Sequence, residues 1–177
     1  TAVREAVDNA LDACEEARIM PELNVEIIQL GETRFRVIVE DNGPGIIRKQ
    51  IPNIFAKLLY GSKFHKLSAT RGQQGIGISA SVLYGQLTTG KPATIMSKTG
   101  KNAQAHCFKL KINTANNKPD IMQDDECEWD EKEHGTRIEI DMEGAYIKGR
   151  QSVDEYLKET AIVNPHAMII YTNPEAN

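Results

Sequence analysis

The sequence predicts a single domain of mixed helix and sheet, on three observations. Residues 3–17 carry apolar side chains at helical spacing, residues 25–40 read as two strands joined by a turn, and most of the chain beyond residue 93 alternates or runs apolar in strand fashion. At 177 residues and 40% hydrophobic, the chain is long enough to bury one core. No internal repeat or linker divides it.

In the first helix Val3, Ala6, Val7, Ala10, Cys14 and Ala17 fall three and four apart, on one face. Glu5, Asp8, Asn9 and Asp12 line another stripe, putting three carboxylates and an amide together. Like charges at that spacing cost a few tenths of a kcal/mol per pair, on the order of 0.2–0.5. A solvated acidic face and a stripe rewarded by a metal cation both fit.

Pro21 ends that region. A strand over residues 25–30 turns at Gly31, Glu32, Thr33 and Arg34 into a second over residues 35–40, which runs directly into Asp41, Asn42, Gly43, Pro44 and Gly45. Asp-Asn-Gly makes a good hairpin turn. It also sets a carboxylate at a strand end beside glycine-bared backbone, where a flat ligand can lie and donate to Asp41.

Residues 47–60 read as helix, with Pro52 near its start. Residues 61–74 are polar, basic and aperiodic, as in a loop that closes over something. They lead through Gly72, Gln73, Gln74, Gly75, Ile76 and Gly77 into a helical segment over 78–84, presenting bare N–H groups where phosphates bind. Strands are expected over 93–99, 103–113, 136–142 and 167–171, and a short helix over 152–160 with Ser152 as cap and Glu155 in the capping-box position. The acidic run 124–133 reads as an exposed loop rather than a metal site.

Lys and Arg number 21 against 25 Asp and Glu, a net charge of −4, so the chain has no overall basic footprint for nucleic acid; DNA contact would need a local patch or another part of a larger protein. Cys14, Cys107 and Cys127 lack paired spacing and suit packing in a reducing compartment. No apolar run approaches the ~20 residues of a membrane span, and the protein reads as soluble and intracellular. Its abrupt entry into helical periodicity at Thr1 is that of a fragment of something longer.

Two near misses are set aside. Gly85 to Pro92 imitates a phosphate-binding GxxxxGK[ST] loop, but Pro92 replaces the hydroxyl residue and follows a helix where a strand is needed. Gly75-Ile-Gly-Ile-Ser-Ala80 imitates a dinucleotide fingerprint without the preceding strand or the later acid. His65, His106, His134 and His166 lack ligand spacing and read as structural or surface residues.

In order, Glu5-x-x-x-Asn9, Asp41-x-Gly-x-Gly45, Gly72-x-x-Gly-x-Gly77 and Gly135-Thr136 resemble the four motifs of the GHKL ATPase superfamily. The wording of residues 4–13, 72–80, 87–92 and 160–167 is similar, more narrowly, to the B-subunit family of archaeal type IIB DNA topoisomerases (topoisomerase VI). The resemblance runs over nearly the whole chain. It implies a Bergerat-type α/β two-layer sandwich, with a mixed, largely antiparallel sheet covered by helices on one face, and one GHKL ATPase domain over 1–177. It implies ATP and Mg²⁺: Glu5 as general base, Asn9 as the Mg²⁺ ligand with Asp8 and Asp12 tuning that shell, and Asp41 accepting the adenine amino group with Thr136 behind it through water. Gly43 and Gly45 would bare the turn, Ser62 and Lys63 would open the lid, and Gly72, Gln73, Gln74, Gly75, Ile76, Gly77, Ile78 and Ser79 would wrap the phosphates.

The family further implies an A subunit that cuts DNA, a homodimer of B subunits formed on ATP binding, duplex DNA held by the whole complex, and a nucleoid-associated place in the cytoplasm. An N-terminal strap before Thr1 and a transducer domain with a phosphate-sensing lysine beyond Asn177 are expected to be missing, so weak or no turnover is expected of these residues alone. A GHKL chaperone, a MutL-type repair protein, a histidine kinase and a non-catalytic nucleotide-sensing module are the competing readings. Glu5, a hydrolytic base, disfavours the kinase.

Overall fold

The computed structural model describes residues 2–52, 89–113, 115, 118–143 and 146–172. Helix α1 (Ala2–Glu16) opens the chain. Strands β1 (Glu22–Gln29) and β2 (Arg34–Asp41) follow, then β3 (Ala93–Lys98), β4 (Ala105–Asn113), β5 (Lys118–Cys127), β6 (Gly135–Glu143), helix α2 (Tyr146–Val163) and β7 (Met168–Thr172). The strands form one sheet in the order β5-β4-β3-β6-β2-β1-β7, antiparallel at every pairing but β1 with β7. This is the expected mixed, largely antiparallel sheet.

Period-two alternation decides which face each strand buries. Leu23, Val25 and Ile27 of β1, Phe35, Val37 and Val39 of β2, Ala93 and Ile95 of β3, Phe108 and Leu110 of β4, and Ile140 of β6 join one core. Val7, Ala10 and Leu11 of α1 and Leu157 of α2 complete it, so both helices cover the same face. The other face of β2 and β6 is an ion-pair ladder: Arg36 grips Asp141 at 2.7 and 3.1 Å, and Glu40 stands 3.6 Å from Lys132 and 3.8 Å from Arg137. Burial alone would raise Asp141, but the Arg36 guanidinium and the Lys91 ammonium hold its carboxyl below the usual range.

Three expectations are corrected. The acidic run is not all loop, because Asp124, Asp125 and Glu126 lie in β5, paired with Phe108, Cys107 and His106. An edge strand meets water along one side, which tolerates both these carboxylates and Pro119; Arg48 pairs with Asp124 at 2.9 Å. Ser152 does not cap the last helix, which starts six residues earlier at Tyr146. Finally, β1 begins at Glu22 rather than Val25. The Asn42 side chain pins that start, accepting from the Glu22 N–H at 2.8 Å and donating to the Met20 carbonyl at 2.9 Å.

Smaller shifts occur at β4, which starts at Ala105 after a turn closed by the Ala103 N–H on the Gly100 carbonyl. Of the helix expected over 47–60, the described part turns helical at Gln50; the rest, with the lid and the 78–84 helix, lies outside the described residues. Among the described residues no helix is long and apolar enough to cross a membrane.

Candidate functional site

Strand β2 ends on Asp41, which faces the same side as Val39 and Val37 and is only 8% exposed. Its register partner on β6 is Thr136, 7% exposed. Asp41 Oδ1 accepts the Gly43 N–H at 2.8 Å, an Asx turn that folds the chain back beneath the carboxylate. Burial pushes the Asp41 carboxyl up to about 6, although hydrogen bonding from the backbone of Gly43 and Thr136 and the Lys132 ammonium pull it down and Glu40 pushes it up.

The glycines of this turn are required by space. A Cβ on Gly43 would sit 2.9 Å from Asp41 Oδ1 and 3.5 Å from the Cys14 sulfur, filling the space beside the carboxylate. Gly45 has φ +75° and lies against the Lys98 carbonyl, 2.1 Å from where its Cβ would be. The sequence marks both as special backbone positions, but the space that Gly45 leaves is taken by β3 rather than left open.

Helix α1 meets the turn through Cys14 and Ala13, whose Cβ is 3.8 Å from the Gly43 Cβ position. Asn9, half-buried, lies one turn before Ala13 on the same helical stripe, and Glu5 one turn earlier again in the backbone of α1. The stripe from Ala13 to Glu5 runs about 12 Å along the axis, comparable with an extended nucleoside triphosphate. The side chain of Glu5 is outside the described residues, as are Ser62, Lys63, Gly72, Gln73, Gln74, Gly75, Ile76, Gly77, Ile78 and Ser79. Asp8 is turned toward α2, where it accepts a hydrogen bond from the Tyr156 hydroxyl. That bond gives one carboxylate of the acidic stripe a structural reason.

The sequence does not single out Ser97, whereas it reads His134 as structural or surface and Cys14 as packing. Ser97 of β3 is buried beside Thr136, 2.9 Å between hydroxyl oxygens. The His134 ring, through Nδ1, is 2.7 Å from the Gly43 carbonyl and props the turn from outside. The Cys14 thiol, pushed up to about 11 by burial and the nearby Asp41 charge, stays neutral and packs under Gly43. One signal was available for Ser97: it occupies the third inward position of Ala93-x-Ile95-x-Ser97, where an apolar residue is the default.

Asp41, Thr136, Ser97 and His106 stand in one row across β2, β6, β3 and β4. A buried carboxylate and two buried hydroxyls at a glycine-lined sheet end can bind a planar heterocycle by its N–H donors. Among the described residues no cluster of three or more His, Cys, Asp or Glu could hold a metal ion.

Residues 1–143 match the profile of the histidine kinase-, DNA gyrase B- and HSP90-like ATPases. The chain is 60% identical over 178 residues to the B subunit of type 2 DNA topoisomerase 6 from Methanosarcina barkeri, covering 100% of this chain and 28% of that protein. It is 56% identical over 176 residues to the Archaeoglobus fulgidus protein of the same name, covering 99% and 29%. The chain thus spans under a third of the length of these relatives. Among solved structures, the topoisomerase IV ATP-binding domain of Francisella tularensis, in complex with a small-molecule inhibitor, has the same fold at TM-score 0.52 and 16% identity, over 97% of this chain and 79% of that one. With the sheet, the helical layer and the strand-end aspartate in place, the chain belongs to the histidine kinase-, DNA gyrase B- and HSP90-like ATPase family, whose domain implies nucleotide binding.

Proposed function

We propose that these residues form the ATP-binding and ATP-hydrolysing domain of a type IIB topoisomerase B subunit, in which nucleotide binding drives subunit closure around duplex DNA. The observation that carries the reading is the buried Asp41 carboxylate, opposite Thr136 and in a turn that meets α1 at Ala13 and Cys14. Asp41 accepts the adenine amino group; an unmatched base leaves it without that donor at a cost of ~1–3 kcal/mol. Gly43 leaves the carboxylate uncovered for the base, Gly45 holds the turn against β3, and Thr136 completes the polar edge.

Along α1, Glu5 acts as the general base that orients and activates water toward the γ-phosphate, a role typically worth ~10²–10⁴-fold. The donor set fits Mg²⁺, which takes most of its ligands from phosphate and water and needs only one or two from protein. Asn9 would supply the protein oxygen, and the ion would neutralise phosphate charge. Ser62, Lys63 and the segment from Gly72 to Ser79 serve as lid and phosphate cradle, through bare N–H groups at a helix start. The domain extends over 1–177, and its partners are a second B subunit, a DNA-cutting A subunit and duplex DNA, inside the cell. The identity to two proteins named as B subunits of topoisomerase 6 supports this choice over a chaperone or repair ATPase.

Calorimetric titration with Mg²⁺ and a non-hydrolysable ATP analogue tests the site. Saturable binding is expected, lost in Asp41→Asn and absent with the GTP analogue; equal binding of both nucleotides would refute it. In the full-length protein Glu5→Ala should abolish hydrolysis and retain binding, whereas unchanged activity would leave only a binding module.

A further inference from the structure

Ser97 is 1% exposed and lies opposite Thr136 in the β3–β6 register. Three contacts converge on its Oγ. The Ile46 N–H donates to it at 2.7 Å, the Gly135 carbonyl oxygen is 3.1 Å away, and Thr136 Oγ1 is 2.9 Å away. A serine hydroxyl has one proton and two lone pairs, and a carbonyl oxygen can only accept. If all three contacts are hydrogen bonds, the Ser97 proton goes to Gly135, Ile46 fills one lone pair, and Thr136 donates to the other. Buried polar groups are satisfied in this way because an unmet one costs ~1–3 kcal/mol. The Thr136 proton is then spent, and toward anything else its hydroxyl offers lone pairs alone. Asp41, across the β2–β6 pairing, is likewise an acceptor when ionised.

We propose that Ser97 is a positioning residue that fixes the hydroxyl polarity of Thr136, making the base-reading edge acceptor-only and so selecting a 6-amino purine over a 6-oxo purine. The inference rests on the adenine reading above and adds the residue that enforces it. A 6-amino group brings N–H donors to both acceptors. A 6-oxo group brings lone pairs against the lone pairs of Thr136.

ADP and IDP, which differ at the 6-substituent and at the adjoining N1, a lone pair in adenine and an N–H in hypoxanthine, are the probes, titrated calorimetrically into the full-length protein with Mg²⁺. Ser97→Ala frees the Thr136 hydroxyl to turn its proton toward a 6-oxo group, so the ADP-to-IDP affinity ratio should narrow about tenfold, largely by tighter IDP binding, the equivalent of one hydrogen bond. Damage to packing would weaken both nucleotides instead. Thr136→Val, which removes the lone pairs with Ser97 intact, should also narrow the ratio, and adding Ser97→Ala to it should change the ratio no further. Should Ser97→Ala fail to fold, Thr136→Val decides alone. ADP binding by the wild type with an unchanged ratio in the folded variants overturns the role of Ser97 and leaves the adenine site standing. Failure of the wild type to bind ADP, or undiminished ADP binding by Asp41→Asn, overturns the adenine reading and this inference with it.

Discussion

Asp41 serves two opposed demands. Its burial favours the neutral acid, whereas accepting an amino group requires the carboxylate, and the carboxyl settles at about 6 instead of 3.8. A carboxyl raised in the folded state contributes stability that is fully present below its unfolded value and is lost as pH rises through the folded one. The window here is pH 3.8 to 6, and two units correspond to a loss of up to about 3 kcal/mol. The neutral side chain of Asp41→Asn has no such titration. The unfolding free energy of the wild type minus that of Asp41→Asn, from urea denaturation, should therefore fall by about 2–3 kcal/mol between pH 4 and 7. A flat difference would mean that the carboxyl is not held in a dry site. Adenine-nucleotide affinity should run the other way, strengthening as pH rises through 6 and the acceptor forms. The two responses share one cause: ionised Asp41 is costly until a donor reaches it.

Between elements, the β2–β6 pairing carries a second buried carboxylate with a different solution. Asp141 has a 7% exposed side chain and is gripped by Arg36, whose own side chain is 35% exposed, with Lys91 at 3.6 Å. The asymmetry in exposure predicts an asymmetry in mutants. Arg36→Met strands most of a buried negative charge and should cost about 2–3 kcal/mol, while Asp141→Asn leaves an arginine that can reach water and should cost about 1. Urea midpoints at pH 7 give both values, and an Asp141→Asn cost equal to that of Arg36→Met would contradict the account. This level also shows what the sequence could and could not convey. The α1 stripe, the β1–β2 hairpin and Asp41 with its glycines were legible because each is local, a period or a turn written in neighbouring residues. The edge position of β5 comes from its pairing with β4, so its acids read as loop. Ser97 and Thr136 lie on different strands, and only the sheet order reveals that their hydroxyls share a proton. Two parts of the proposed site, the lid and the Glu5 side chain, remain readings of motif alone.

Across the whole molecule, the first and last helices are joined by contacts that close almost the full chain. Tyr156 of α2 donates to Asp8 of α1 across 148 residues of sequence, and β7 docks parallel to β1. Contacts of such separation carry a large loop-closure entropy and are rewarded late in folding, after hairpins such as β1–β2 and β4–β5 have formed. The interhelix bond should therefore be absent from the folding transition state. Tyr156→Phe removes the hydroxyl donor to a half-buried carboxylate and should destabilise by about 1–2 kcal/mol. Because the bond forms late, the loss should appear almost wholly as faster unfolding, with a φ-value near 0–0.3. Stopped-flow folding and unfolding rates of wild type and Tyr156→Phe measure the partition. A slowed folding limb with an unchanged unfolding limb would place α1–α2 docking in the nucleus instead. Late docking also bears on the proposed site, since α1 carries Asn9 and Glu5 while β2 carries Asp41. A ligand that bridges them adds a contact made only in the native state, so bound nucleotide should slow unfolding and leave the folding rate unchanged.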